Sequence, residues 1–276
     1  MDFTTTQLQR YSRQLLLREV GGQGQARLLA SRVVLVGAGG LGSPAALYLA
    51  AAGVGRLVIV DDDRVELSNL QRQILHDTDR LGVEKAQSAA QTLRALNPDT
   101  EVVPVLSRLS ADTVQAVLAQ GDLILDGSDN FATRYVLNEA CWQAGKPLIS
   151  AAVLGFEGQL STFRHGVDRA SPCYRCLYPE MPAAGSTPTC RSAGVLGAVA
   201  GVLGAWQAAE AIKELLGIGD SLAGSLLLLN LLHGQIMRIR VDKRADCPVC
   251  GECVNQSAVQ PMGGVADVIH TRGAGA

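Results

Sequence analysis

Val33-Val34-Leu35-Val36-Gly37-Ala38-Gly39-Gly40-Leu41-Gly42 decides the fold of this 276-residue chain. A short apolar run bounded by glycines reads as a strand, and Gly37-x-Gly39-x-x-Gly42 reads as the turn that leads it into a helix. Glycines let a backbone turn tightly while its N–H groups come close to a phosphate, and the helix behind them points its positive end at the same place. A second apolar run, residues 57–60, ends in Asp61-Asp62-Asp63. An acid at the end of that strand accepts hydrogen bonds from ribose hydroxyls. The stretch predicts a nucleotide site that includes Gly37, Gly39, Gly40, Gly42, Asp61 and Asp63.

Outward from this stretch, apolar runs and helical patterns alternate. Strands are expected at residues 32–36, 57–60, 101–105, 123–125 and 147–150, with helices starting near Gly42, Val83, Ala111 and Asn130. That alternation means βαβ units and a mainly parallel sheet with helices on both faces. Upstream, residues 7–20 read as one helix, capped by the preceding threonines and ended by Gly21, Gly22 and Gly24. After Ser150 the rhythm changes. Residues 158–164, 225–231 and 235–241 read as strands with short connections, which fits antiparallel additions to the sheet. Residues 194–209 carry no charge but fall short of the ~20 residues a membrane-spanning helix needs. They read as a buried helix, on which Gly197, Gly201 and Ala205 permit close packing within the subunit or between subunits. Residues 179–192, rich in Pro, Gly, Ser and Thr, read as a mobile crossover loop. The fold expected is a Rossmann-like α/β sheet, mainly parallel with antiparallel additions. It is expected to form one domain over residues 1–253, whose C-terminal part is zinc-stapled through the pairs Cys173-x-x-Cys176 and Cys247-x-x-Cys250, with a flexible tail at 254–276.

Composition narrows the function. Hydrophobic residues make up 47% and aromatics only 4%, so the core must be built from Ala, Val, Leu and Ile. A net charge of -2 with no basic run argues against nucleic acid as the main partner. The first residues, Met1-Asp2-Phe3-Thr4-Thr5-Thr6, lack a signal-peptide pattern, and a cytoplasmic protein is expected. In that compartment its seven cysteines are better read as metal ligands or reactive thiols than as disulfides.

Three constellations carry chemistry. Arg72 and Lys85 supply positive charge near the glycine turn, and Asp129-Asn130 follows the strand at 123–125. Ligands of an open α/β sheet sit at the carboxyl ends of its strands, where the glycine turn, Asp61 and Asp129 can converge. Arg72 and Lys85 would then face a triphosphate, and Asp129 would hold Mg²⁺. The plainer reading makes both cations solvated surface charges. Next, Cys173-x-x-Cys176 with Cys247-x-x-Cys250 has the spacing of a structural four-cysteine zinc site. Cys253 repeats the spacing and would otherwise point to an iron–sulfur set. Last, Cys190 lies before a helix start beside Arg191, a setting that favours thiolate; it is either a reactive thiol or an inert loop cysteine. Cys141 reads as a small core residue. His76, His165, His233 and His270 show no evident partner, and surface or capping roles are expected for them.

Taken together, Tyr11-Ser12-Arg13-Gln14, the segments 37–44, 68–73 and 126–130, both cysteine pairs and Cys190-Arg191-Ser192-Ala193-Gly194 resemble the ubiquitin-activating-like adenylyltransferases of sulfur carrier proteins. The relatives act in molybdopterin and thiamine synthesis, and the resemblance is to their short form, without a rhodanese-like extension. It implies that ATP and Mg²⁺ activate the C-terminal carboxylate of a ubiquitin-like carrier ending in Gly-Gly. Pyrophosphate leaves, and the acyl-adenylate is then open to a sulfur donor such as a cysteine desulfurase or a rhodanese-like protein. It further implies that Asp61 binds ribose, that Ser68, Asn69, Leu70, Gln71, Arg72, Lys85, Asp129 and Asn130 contact nucleotide or metal, and that Arg13 serves the partner's site in a homodimer. Competing readings are a nicotinamide-dependent oxidoreductase and a non-catalytic carrier-binding subunit. The first leaves Arg72, Lys85 and Asp129 unexplained together; the second expects one of them to be missing.

Overall fold

Strand β1, Arg32–Val36, sits in the middle of the sheet of the computed structural model, which describes residues 2–183, 186 and 193–252. Its side chains alternate between two cores. Val33 and Leu35 enter the larger one, while Val34 and Val36 enter the one on the opposite face. Strands β2, Arg56–Val60, and β4, Leu123–Asp126, divide their side chains in the same way. A strand covered on both faces favours apolar residues at successive positions, which is why residues 33–36, 57–60 and 123–125 carry no polar alternation.

The strand order is β3-β2-β1-β4-β5-β6-β7-β8. Here β3 is Glu101–Val105, β5 Leu148–Leu154, β6 Glu157–Phe163, β7 Ser225–Asn230 and β8 Gln235–Arg240. The first five strands pair in parallel, and β6, β7 and β8 are antiparallel additions. The chain leaves β1 for β2 on one side, and β4 joins β1 on the other. A crevice therefore opens between the carboxyl ends of β1 and β4. On one face lie helices α3, Gly21–Ala30, α4, Gly42–Ala51, α5, Lys85–Leu96, and α9, Gly197–Leu216; on the other lie α6, Val114–Leu118, α7, Phe131–Ala144, and the short α8, Tyr174–Leu177. No helix of the described residues is long and apolar enough to cross a membrane.

The N-terminus departs from the expected single helix. Thr4 caps α1, Thr5–Arg10, in a capping box with Gln7, but the helix stops at Tyr11 and a short α2 follows at Ser12–Leu15. Tyr11 is buried, its hydroxyl accepting from Asn97 Nδ2 at 2.9 Å. Gln14 donates to Gln25 Oε1 and to the Ala52 carbonyl. These tertiary contacts outweigh local helix propensity. Gly21, Gly22 and Gly24 open α3 and do not close the helix before it. A Cβ on Gly24 would come within 3.4 Å of Leu216, so glycine lets α3 pack against the end of α9.

Helix α9 is buried as expected, with a different contact face. A Cβ on Gly197 would lie 2.3 Å from the Gln71 carbonyl oxygen, and one on Gly204 2.2 Å from that of Leu41, whereas one on Gly201 would meet nothing. The close packing runs through Gly197 and Gly204, within the subunit. Cys141 is fully buried, and burial pushes its thiol up. Residues 187–192 and 253–276, with Cys190, Cys253 and His270, lie outside the described residues, as do most of the crossover segment's last residues.

Two histidines also depart from expectation. His76 and His165 are buried and hydrogen-bonded, the first to Ala38 O and Ser88 Oγ, the second to Asn138 O. Burial is the first cause that holds both imidazoles below their ordinary value. An unfolded chain protonates them near pH 6.5, the native chain only at lower pH. Their contribution to stability is therefore complete above that value and is lost as the pH falls through the native ones. The thermal midpoint should fall between about pH 7.5 and about pH 5.5, and fall less in a chain carrying His76→Gln and His165→Gln. Equal falls in the two chains would contradict this.

Candidate functional site

The crevice at the strand ends is a cavity of about 1010 Å³. Its floor is the glycine turn. A Cβ on Gly42 would lie 1.8 Å from the Gly37 carbonyl oxygen, so the first turn of α4 closes only over glycine. Gly37 has φ +96, and a Cβ there would lie 2.8 Å from the Gly127 carbonyl oxygen. The loops after β1 and β4 thus touch backbone to backbone. Gly39 and Gly40 line the cavity, and their N–H groups donate to nothing among the described residues.

Asp61, at the end of β2, faces the cavity and is tied to that turn: Oδ2 accepts from the Ala38 N–H at 2.7 Å and Oδ1 from the Asp63 N–H at 2.9 Å. Burial raises its carboxyl above the ordinary range, partly offset by Lys85 and by these two hydrogen bonds. Each oxygen keeps acceptor capacity for a further donor. Lys85 begins α5 and is buried, with its Nζ 2.8 Å from Asp63 Oδ2. The reading of Lys85 as a solvated surface charge is therefore excluded. Arg72 is half-buried, its stem 3.3 Å from where a Cβ on Gly40 would stand. Asp129 stands exposed at the cavity wall. Asn130 lines the wall beside it, with its side-chain oxygen accepting from Thr133 N–H to cap α7.

The structure thus brings Gly37, Gly39, Gly40, Asp61, Asp63, Arg72, Lys85, Asp129 and Asn130 to one cavity. Gly42 shapes the turn from beneath. Ser68, Asn69, Leu70 and Gln71 do not line the cavity. They form the short turn behind Arg72, whose guanidinium donates to the Ser68 carbonyl, and Asn69 is buried within it. Arg13 is exposed on α2 and lies outside its own chain's cavity wall.

Sequence reasoning missed several lining residues. Gln73 is buried beside Gly39, its Oε1 without a partner among the described residues, and Arg134 donates to the Ser128 carbonyl at 2.9 Å and lies 3.7 Å from the buried Asp126. Arg134 stands four residues after Asn130, a spacing that returns a helical side chain to the same face, and that signal was available. Ser107, Arg108 and Leu109 after β3, and a wall from β5 to β8 including Val153, Gln159, Leu228 and Met237, also line it. Their contribution depends on which strands pair, which no local pattern states.

A second cluster lies elsewhere. The sulfurs of Cys173, Cys176, Cys247 and Cys250 lie within 4.8 Å of one another and all four residues are buried. Cys173–Cys247 is 3.5 Å and Cys176–Cys250 is 3.4 Å, with no disulfide among them. Four thiolates at ~2.3 Å from one tetrahedral ion would stand about 3.8 Å apart, so the set fits a metal ion. The Cys176 thiol is pushed down, by hydrogen bonds from Cys173 before any other cause, while Cys173 is pushed up. Trp142 packs against the cluster and donates to Val249 O.

The ThiF family model matches residues 11–249. The chain is 50% identical over 252 residues to the SAMP-activating enzyme E1 of Haloferax volcanii, covering 91% of this chain and 92% of that one. It is 47% identical over 254 residues to the sulfur carrier protein adenylyltransferase of Thermus thermophilus, covering 91% and 94%. The crystal structure of E. coli MccB is similar at a TM-score of 0.77 and 22% identity, covering 91% of this chain and 74% of that one, a likeness of fold.

Proposed function

The chain belongs to the ThiF family, and we propose that it adenylates the C-terminal carboxylate of a ubiquitin-like sulfur carrier protein ending in Gly-Gly. One observation carries this reading: Asp61, Arg72, Lys85 and Asp129 face a single cavity over two glycine N–H groups that have no acceptor among the described residues. The relatives named as enzymes that activate or adenylate small carriers support it along nearly their whole length.

The residues divide the work by chemistry. The acyl carboxylate must approach the α-phosphate of ATP, two anions meeting, while pyrophosphate leaves with growing charge. Asp61 takes the ribose hydroxyls, which sets the nucleotide's direction in the crevice. The Gly39 and Gly40 N–H groups and the positive end of α4 receive phosphate oxygens. Arg72 and Lys85 stabilise the charge that develops, and they do so strongly because a partly buried site screens little. Asp129 is the carboxylate placed to hold Mg²⁺, which would neutralise phosphate charge when bound. The mixed apolar and polar wall from β5 to β8 leaves room for the carrier's C-terminal segment. Arg13, outside its own cavity, fits a role in a partner's site within a homodimer. Cys190 would act after adenylation, in sulfur transfer. The four cysteines would hold zinc, whose closed thiolate shell makes it structural. The product adenylate would pass to a sulfur donor in a cytoplasmic route of the molybdopterin or thiamine type.

Alanine at Arg72, Lys85 or Asp129 should lower carrier-dependent ATP–pyrophosphate exchange by ~10²-fold or more. Cys190→Ala should leave exchange intact and lower thiocarboxylate formation. Mixing Arg13→Ala with Asp129→Ala chains should restore part of the exchange, because one mixed site is whole. Normal exchange in Lys85→Ala, or no recovery after proven subunit mixing, would refute the corresponding role. Metal analysis should find one zinc per chain, and its removal should lower the thermal midpoint; an iron–sulfur absorbance would refute the zinc assignment.

A further inference from the structure

His76 lies outside the cavity wall and takes no direct part in the chemistry above, yet it is buried against the glycine turn. Its Nε2 stands 2.9 Å from the Ala38 carbonyl oxygen and its Nδ1 2.9 Å from Ser88 Oγ. A carbonyl only accepts, so Nε2 carries the proton and donates, and Nδ1 accepts from the Ser88 hydroxyl. Ser88 is fully buried on α5, three residues after Lys85 and so close to one helical turn away. The same segment is clamped a second time: Arg80 donates to the carbonyls of both Leu75 and Ser88.

The consequence follows from the planar trans peptide. In such a unit the carbonyl of one residue and the N–H of the next point in opposite directions. With the Ala38 carbonyl drawn toward His76, the Gly39 N–H is turned the other way, and Gly39 lines the cavity with that donor free of any acceptor among the described residues. The other side of Ala38 is fixed as well, since its N–H donates to Asp61.

We propose that His76 is a positioning residue for nucleotide binding, which locks the Ala38–Gly39 peptide so that its N–H faces the phosphates and ties that peptide to the helix bearing Lys85. Without this donor the peptide is free to rotate, and a carbonyl oxygen turned into the cavity repels a phosphate. The inference rests on the nucleotide reading of the cavity.

The test is the affinity of the full chain for a magnesium complex of a non-hydrolysable ATP analogue, measured by calorimetry, with thermal unfolding alongside. His76→Leu, which fills the space without a donor, should bind about three- to tenfold more weakly, the scale of one lost hydrogen bond. His76→Gln, whose amide can still donate, should recover most of the affinity. If the leucine variant does not fold, Ser88→Ala carries the test and should weaken binding in the same direction. Wild-type affinity in His76→Leu, or in Ser88→Ala where that variant carries the test, overturns the proposal. So does equal weakening in the leucine and glutamine variants, because the lost donor would then not be the cause. Wild-type protein that fails to bind the analogue at all overturns the nucleotide reading, and this inference with it.

Discussion

At Gly37 and Gly42 the backbone comes so close to other backbone that neither position can carry a side chain, and the rest of the site depends on that constraint. A Cβ on Gly42 would meet the Gly37 carbonyl oxygen, and a Cβ on Gly37 would meet the Gly127 carbonyl oxygen. Both contacts fall where the order of the parallel strands reverses, between β1 and β4. Backbone touching backbone there brings the glycine turn, the end of β2 and the Asp126–Asn130 loop to a single rim. Asp61 then holds the turn by its Ala38 N–H, and Arg72 lies across Gly40.

Electrostatics completes what sterics begins. Lys85 loses most of its hydration at the start of α5, where a cation is disfavoured by the helix dipole. It is held there by Asp63 at 2.8 Å and lowers the cost of an ionised Asp61. A cation kept in an unfavourable place beside two acids is well suited to receive phosphate oxygens. Below the rim, the buried Asp126 accepts from Ser128 and Ser150, Arg134 stands nearby, and Gln207 on α9 donates to the Asp126 carbonyl. The loop bearing Asp129 is thereby anchored to the sheet and to the longest helix.

Much of this was legible in the sequence, for identifiable reasons. Unbroken apolar runs such as Val33 to Val36 gave the central strands because burial on both faces leaves no choice of residue. The glycine turn, Asp61 and Lys85 were legible because each needs a particular residue type at a fixed distance from a strand end. The two cysteine pairs were legible because their repeated spacing lets four thiols gather at one point, as they do here. The break at Tyr11 was not, since it is decided by Asn97, more than eighty residues away. His76 was hidden for a similar reason: its partners, Ala38 and Ser88, lie on opposite sides of it in the chain. The close-packing glycine of α9 was misassigned from Gly204 to Gly201 because periodicity names a face without saying which neighbour occupies it. The wall from β5 to β8 depends on strand pairing across long connections.

The proposed reaction in this cavity moves the adenylyl group of ATP onto a carrier's terminal carboxylate. The most direct measurement follows ATP labelled at its α-phosphate, in the presence of a small carrier protein ending in Gly-Gly. Label should appear on the carrier as an acyl-adenylate, with release of unlabelled pyrophosphate, and both should be lost when Asp129 is replaced by alanine. Tight ATP binding with no label on any Gly-Gly carrier and no pyrophosphate released would contradict it.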